Sequence, residues 1–84
     1  MVSTTTTSRL VAEILRAMPR NNAGMWEHSA HEVLMFLEIK VKKFEFLPPK
    51  FGARPERWLF LDGSAITLSD PKGLCVVTLV EEPR

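Results

Sequence analysis

One cysteine in 84 residues, Cys75, leaves no internal disulfide to form. It also excludes a zinc site built from four cysteines, or from two cysteines and two histidines. Lone-cysteine usage is compatible with a reducing compartment, and a cytoplasmic location is the expectation. No apolar run approaches the roughly 18 residues that a membrane-spanning helix needs. Met1 to Ser8 has no apolar h-region, so no secretory signal is expected. Met1 to Arg20 is Thr-rich and Arg-bearing, which suits an organelle transit peptide, but the same stretch reads as a capped helix. Neither sign of charge dominates: 11 Lys and Arg face 10 Asp and Glu, a net charge of +1. Catalytic signatures are missing as well. There is no G-x-S-x-G, no P-loop and no G-x-G-x-x-G.

What is present is ordinary for a globular domain: 45% apolar and 25% charged residues. The length allows one domain. Such a chain buries roughly 60–65% of its unfolded surface, and about 4–13 kcal/mol of stability follows. With no disulfide or metal staple, it needs a good core or a partner chain.

Hydropathy patterning predicts the elements. Residues 1–7 form a flexible, Thr-rich start, and Thr7 or Ser8 caps a helix over 8–18. Its apolar stripe is Leu10, Val11, Ile14, Leu15 and Met18, and Pro19 stops it. Ser29-Ala30-His31-Glu32 matches a capping box and opens a helix over 29–38. Leu37 to Phe46 is ambiguous. It suits a strand over 40–47 with a bulge near Lys42-Lys43, or a helix continued to about 45. Pro48-Pro49 ends either version, and 48–56 is an exposed loop. A β-meander then fills 57–81. Asp62-Gly63 suits a type I′ hairpin turn, and Asp70-Pro71-Lys72-Gly73 suits a type I turn. The last strand, Leu74 to Glu81, is apolar at nearly every position, as in a central strand or one lying against a partner. The expected fold class is α+β: two N-terminal helices packed on a three- or four-stranded antiparallel β-meander.

Three groups of residues are candidates for chemistry. His28, His31, Glu27 and Glu32 cluster around the second helix start, but the spacing is neither H-E-x-x-H nor H-x-x-E-H. A polar helix start accounts for them, and no metal or cofactor is expected. Cys75 sits among Leu74, Val76 and Val77, which suits a core position better than a reactive thiol. Asp62, Ser64 and Asp70 have turn roles.

Charge and apolar surface carry more. Residues 40–57 hold six cations, Lys40, Lys42, Lys43, Lys50, Arg54 and Arg57, interleaved with aromatics. Together with Trp58 they suit single-stranded nucleic acid, cations tracking phosphates and rings stacking on bases. No RNP1-like string supports this, and lysines guarding an edge strand explain the same pattern. Met25, Trp26, Met35, Phe36 and Phe51 exceed what one helical stripe and one sheet face need, and such surplus marks interfaces. The expectation is a non-catalytic interaction module, self-associating as a homo-oligomer and binding a protein partner. A nucleic-acid-binding protein using 40–58 is the alternative, and an enzyme ranks third.

Overall fold

The computed structural model describes residues 5–24, 28–71 and 76–83. Two helices, α1 (Thr7–Arg16) and α2 (Ala30–Phe36), precede four strands, β1 (Val41–Phe46), β2 (Glu56–Phe60), β3 (Ala65–Leu68) and β4 (Val77–Glu81). The strands form one antiparallel sheet in the order β1-β2-β3-β4. The α+β class stands. Only α1 lies at the N-terminal end, since α2 begins at Ala30. No helix among the described residues is long and apolar enough to cross a membrane.

α1 starts one residue earlier than expected. Thr6, not Thr7 or Ser8, is its N-cap, with its hydroxyl accepting the Arg9 N–H. The helix ends at Arg16, before Pro19 is reached. Its buried residues Ser8, Val11, Ala12 and Leu15 face β3 and β4. α2 has the expected cap, the Ser29 hydroxyl accepting the Glu32 N–H. The Glu32 carboxylate engages His28 Nδ1 at 3.2 Å.

α2 does not run on to 45. Ile39 N–H donates to the Leu34 carbonyl and Glu38 N–H to that of Met35, the paired bonds of a Schellman motif. Glu38 occupies the left-handed position of that motif at φ 57°, where glycine is usual. The chain then turns into β1, and the strand alternative holds, with its pairing shifted between Val41 and Lys43 where a bulge was expected.

Core residues Val11, Ala12, Leu15, Ala30, Leu34, Trp58, Phe60, Ile66 and Leu68 form one cluster on one face of the sheet. The opposite face carries Lys43, Glu45, Arg57 and Glu81. There the Arg57 guanidinium donates to Glu81 at 2.6 Å and to Glu45 at 3.2 Å. The Glu81 hydrogen bond, opposed by burial and aided by Glu45, raises the Arg57 pKa above its ordinary value.

Two turn expectations change. The 48–56 loop is partly a hairpin. Lys50 and Ala53 exchange backbone hydrogen bonds around Phe51 (φ 51°) and Gly52 (φ 79°), the two positive values of a type I′ turn. Asp62-Gly63 is not such a turn, because only Gly63 has positive φ, at 87°. Phe60 instead pairs with Ser64 across a three-residue loop. The Asp62 carboxylate accepts the N–H of Thr7 at 2.8 Å and both the N–H and hydroxyl of Ser64. Ser64, fully buried, also accepts the Ser8 N–H at 3.0 Å. α1 has no acid in its first turn, so Asp62 supplies the anion at its positive end.

The apolar last strand is not central. β4 stands at an edge of the sheet, with Thr78 and Leu79 exposed. Leu74, Cys75 and the Lys72-Gly73 half of the preceding turn lie outside the described residues.

Candidate interaction surface

The β1 side of the sheet gathers most of the singled-out residues. β1 is an edge strand, with no further strand beside it among the described residues. Phe44 and Phe46 alternate with Lys43 and Glu45, so both phenylalanines lie on the helix-bearing face. That face continues at both ends. Beside α2 is a shallow groove of about 350 Å³ lined by His31, Leu34, Met35, Ile39, Val41 and Phe44. Toward the hairpin tip is a second groove, lined by Phe46, Leu47, Pro49, Gly52, Arg54 and Pro55.

Exposure along this side is unusual for large apolar groups. Met35 is 79% exposed, Phe36 87%, Phe46 79% and Phe51 97%. Phe51 projects from the hairpin tip in a backbone conformation that costs a residue bearing a Cβ about 1 kcal/mol. The Lys50 ammonium sits 5.9 Å from its ring centroid.

The sequence-derived interface residues divide accordingly. Met35, Phe36 and Phe51 are on the surface, and Met25 and Trp26 lie outside the described residues. The basic set also divides. Lys40, Lys42, Lys43, Lys50 and Arg54 are exposed. Lys43 Nζ lies 3.8 Å from Glu45. Arg57 is engaged by two carboxylates. Trp58 is fully buried, so as it stands it cannot stack on a base. It sits at the central position of β2, opposite Ile66, where the pleat turns it into the core.

Sequence reasoning did not anticipate Glu56, read there as the end of a loop. Glu56 opens β2 and is buried, accepting from the Trp58 indole at 3.4 Å and paired with His31 Nε2 at 3.1 Å. The His31 ring meets Trp58 edge-on with centroids 5.2 Å apart and lies 5.5 Å from Phe44. Through Glu56, His31 ties α2 to β2 and fixes one wall of the groove. No periodicity in the sequence links residues 25 apart, so the pair had no local signal. Among the described residues, no three His, Cys, Asp or Glu side chains are grouped to hold a metal ion. Comparison with family models, curated proteins and solved structures yields no match.

Proposed function

We propose that this chain is a non-catalytic interaction module that self-associates through the β1 side of its sheet. The observation that carries this is an edge strand whose flanks expose Met35, Phe36, Phe46 and Phe51 together. Exposed apolar groups of this size, set at both ends of an unpaired strand edge, favour association by strand addition. A small domain with no disulfide framework gains most from a second copy, which covers the apolar surface and pairs the edge at once. The charges of β1 are mixed, Lys42 and Lys43 against Glu45, which suits a like strand better than a uniformly charged partner. Further protein partners engage the hairpin tip around Phe51.

Sedimentation velocity across a wide concentration range tests this. The expected result is a concentration-dependent dimer, little affected by salt, that Phe46→Ser and Phe36→Ser weaken without unfolding the chain. A monomer at every concentration removes the reading.

Binding of single-stranded nucleic acid remains the second reading, favoured by five exposed cations beside exposed Phe46 and Phe51. Affinity for a mixed-sequence oligonucleotide that falls steeply with salt, and falls again on charge reversal at Lys42 and Lys43, supports it. Affinity unchanged by that reversal removes it.

A further inference from the structure

We infer that two copies pair β1 to β1 antiparallel, in the register centred on Phe44. This rests on the self-association proposed above and specifies its geometry. The backbone comes first. Leu47 N–H donates to the Pro55 carbonyl at 3.0 Å, so Leu47 and Pro55 form a bonded pair. Bonded and non-bonded pairs alternate along an antiparallel ladder. Glu45–Arg57 and Lys43–Leu59 are therefore the bonded pairs, and Phe44–Trp58 and Phe46–Glu56 are not. Independent support comes from the other side of β2, where Phe60 N–H donates to Ser64. Even-numbered positions of β2 thus bond toward β3 and odd-numbered ones toward β1. The N–H and C=O groups of Phe44 and Phe46 point off the open edge, ready to receive a strand.

A two-fold axis perpendicular to the sheet keeps the helix-bearing faces of both copies on one side. It also places one residue opposite itself, and charge then selects the register. Centred on Lys43, the pairing sets lysine against lysine. Centred on Glu45, it sets glutamate against glutamate. Like charges directly opposite are unfavourable. Centred on Phe46, it sets Phe44 against the partner's Pro48, which has no N–H to give. Centred on Phe44, it sets Lys43 against the partner's Glu45 twice, on the face where both side chains lie. The two Phe44 rings meet on the other face, beside the groove that Met35 and Ile39 line. In this register pairing runs from Lys42 to Phe46 and stops short of Pro48-Pro49. The two four-stranded sheets become one continuous sheet.

Disulfide trapping of the full chain decides the register. In a Cys75→Ala background, which removes the one native cysteine, single cysteines are introduced by Lys43→Cys, Phe44→Cys and Glu45→Cys and mildly oxidised. Phe44→Cys is expected to cross-link between copies well above the other two. Lys43→Glu, which replaces two attractive cross-strand pairs by two repulsive ones, is expected to weaken association by roughly tenfold, with circular dichroism unchanged. A dimer that cross-links best through position 43 or 45, or that tolerates Lys43→Glu, overturns the register while leaving self-association intact. A chain that sediments as a monomer at all concentrations overturns both.

Discussion

Replacing Asp62 by asparagine tests how α1 is held. Burial pushes the Asp62 carboxyl up, but hydrogen bonds from Ser64 and Thr7 together outweigh it and lower its pKa from 3.8 to about 2. That lowering corresponds to roughly 2 kcal/mol of linkage at neutral pH before solvent screening. Asp62 is exposed to solvent on its outer side, and screening there reduces the usable part to about 1 kcal/mol. Asp62→Asn also turns one acceptor into a donor facing the Thr7 N–H, leaving that N–H unpaired. The combined loss is about 1–2 kcal/mol, or a Tm lower by roughly 4–16 °C in a domain of this size. The folded-state pKa is depressed, so the stabilisation is present above the unfolded value near 4 and is lost as pH falls through about 2. At pH 3 about half the linkage part is already gone. Thermal melts of both proteins, followed by circular dichroism from pH 7 to pH 3, measure the gap. A gap equally wide at pH 7 and pH 3 refutes the charge-based account, and no gap at pH 7 refutes the role of Asp62 altogether.

Other substitutions follow from single residues. Glu38→Gly relieves the left-handed strain at the end of α2 and is expected to raise Tm by several degrees, from about 0.5–1 kcal/mol. A lower Tm would mean that the Glu38 side chain contributes more than its strain costs. Phe51→Asn suits both positions of an Asn-Gly type I′ turn and is expected to stabilise the isolated chain by about 0.5 kcal/mol in urea denaturation. Trp58→Ala empties the centre of the core at a cost of about 3–5 kcal/mol, and its near-ultraviolet circular dichroism and denaturation midpoint should collapse together. Ser64→Ala strips the Ser8 N–H of its buried partner and is expected to lower stability by about 1–3 kcal/mol. Chemical denaturation with an unchanged midpoint would contradict that.

Features set by near neighbours were legible in the sequence. The Ser29 cap, the bulge at Lys42 and the hairpin between β2 and β3 are each written within a few residues, by side-chain chemistry or period. Features set across the fold were not. Asp62 and Gly63 suggested a two-residue turn, but the Asp62 carboxylate answers to Thr7, 55 residues away. The helix alternative for Leu37 to Phe46 had a regular apolar seam, and nothing local excluded it. It fails because Glu38 adopts a conformation that residue type alone disfavours. Trp58 looked like an exposed aromatic among cations, because strand parity cannot be read until the register is known. The apolar character of β4 suggested a central strand. Its neighbour on one side is β3, and hydrophobicity at Val77 and Val80 records packing on the core, while Leu79 is exposed.

The order of the sheet bears on how the chain reaches its native state. Every strand pairs with the next one along, so the sheet assembles through hairpins alone, each closing a short loop. α1 is the exception. Its first turn is secured by Asp62, Ser64 and the Glu81 carbonyl, with sequence separations of 55, 56 and 73 residues. Its anchors exist only once the later hairpins have closed, so the first element in the sequence is expected to dock last. Loosening that anchor should then leave the folding rate nearly unchanged and act almost wholly on the rate of unfolding. The lifetime of the folded chain, rather than the speed of its formation, is what Asp62 and Ser64 are then expected to set.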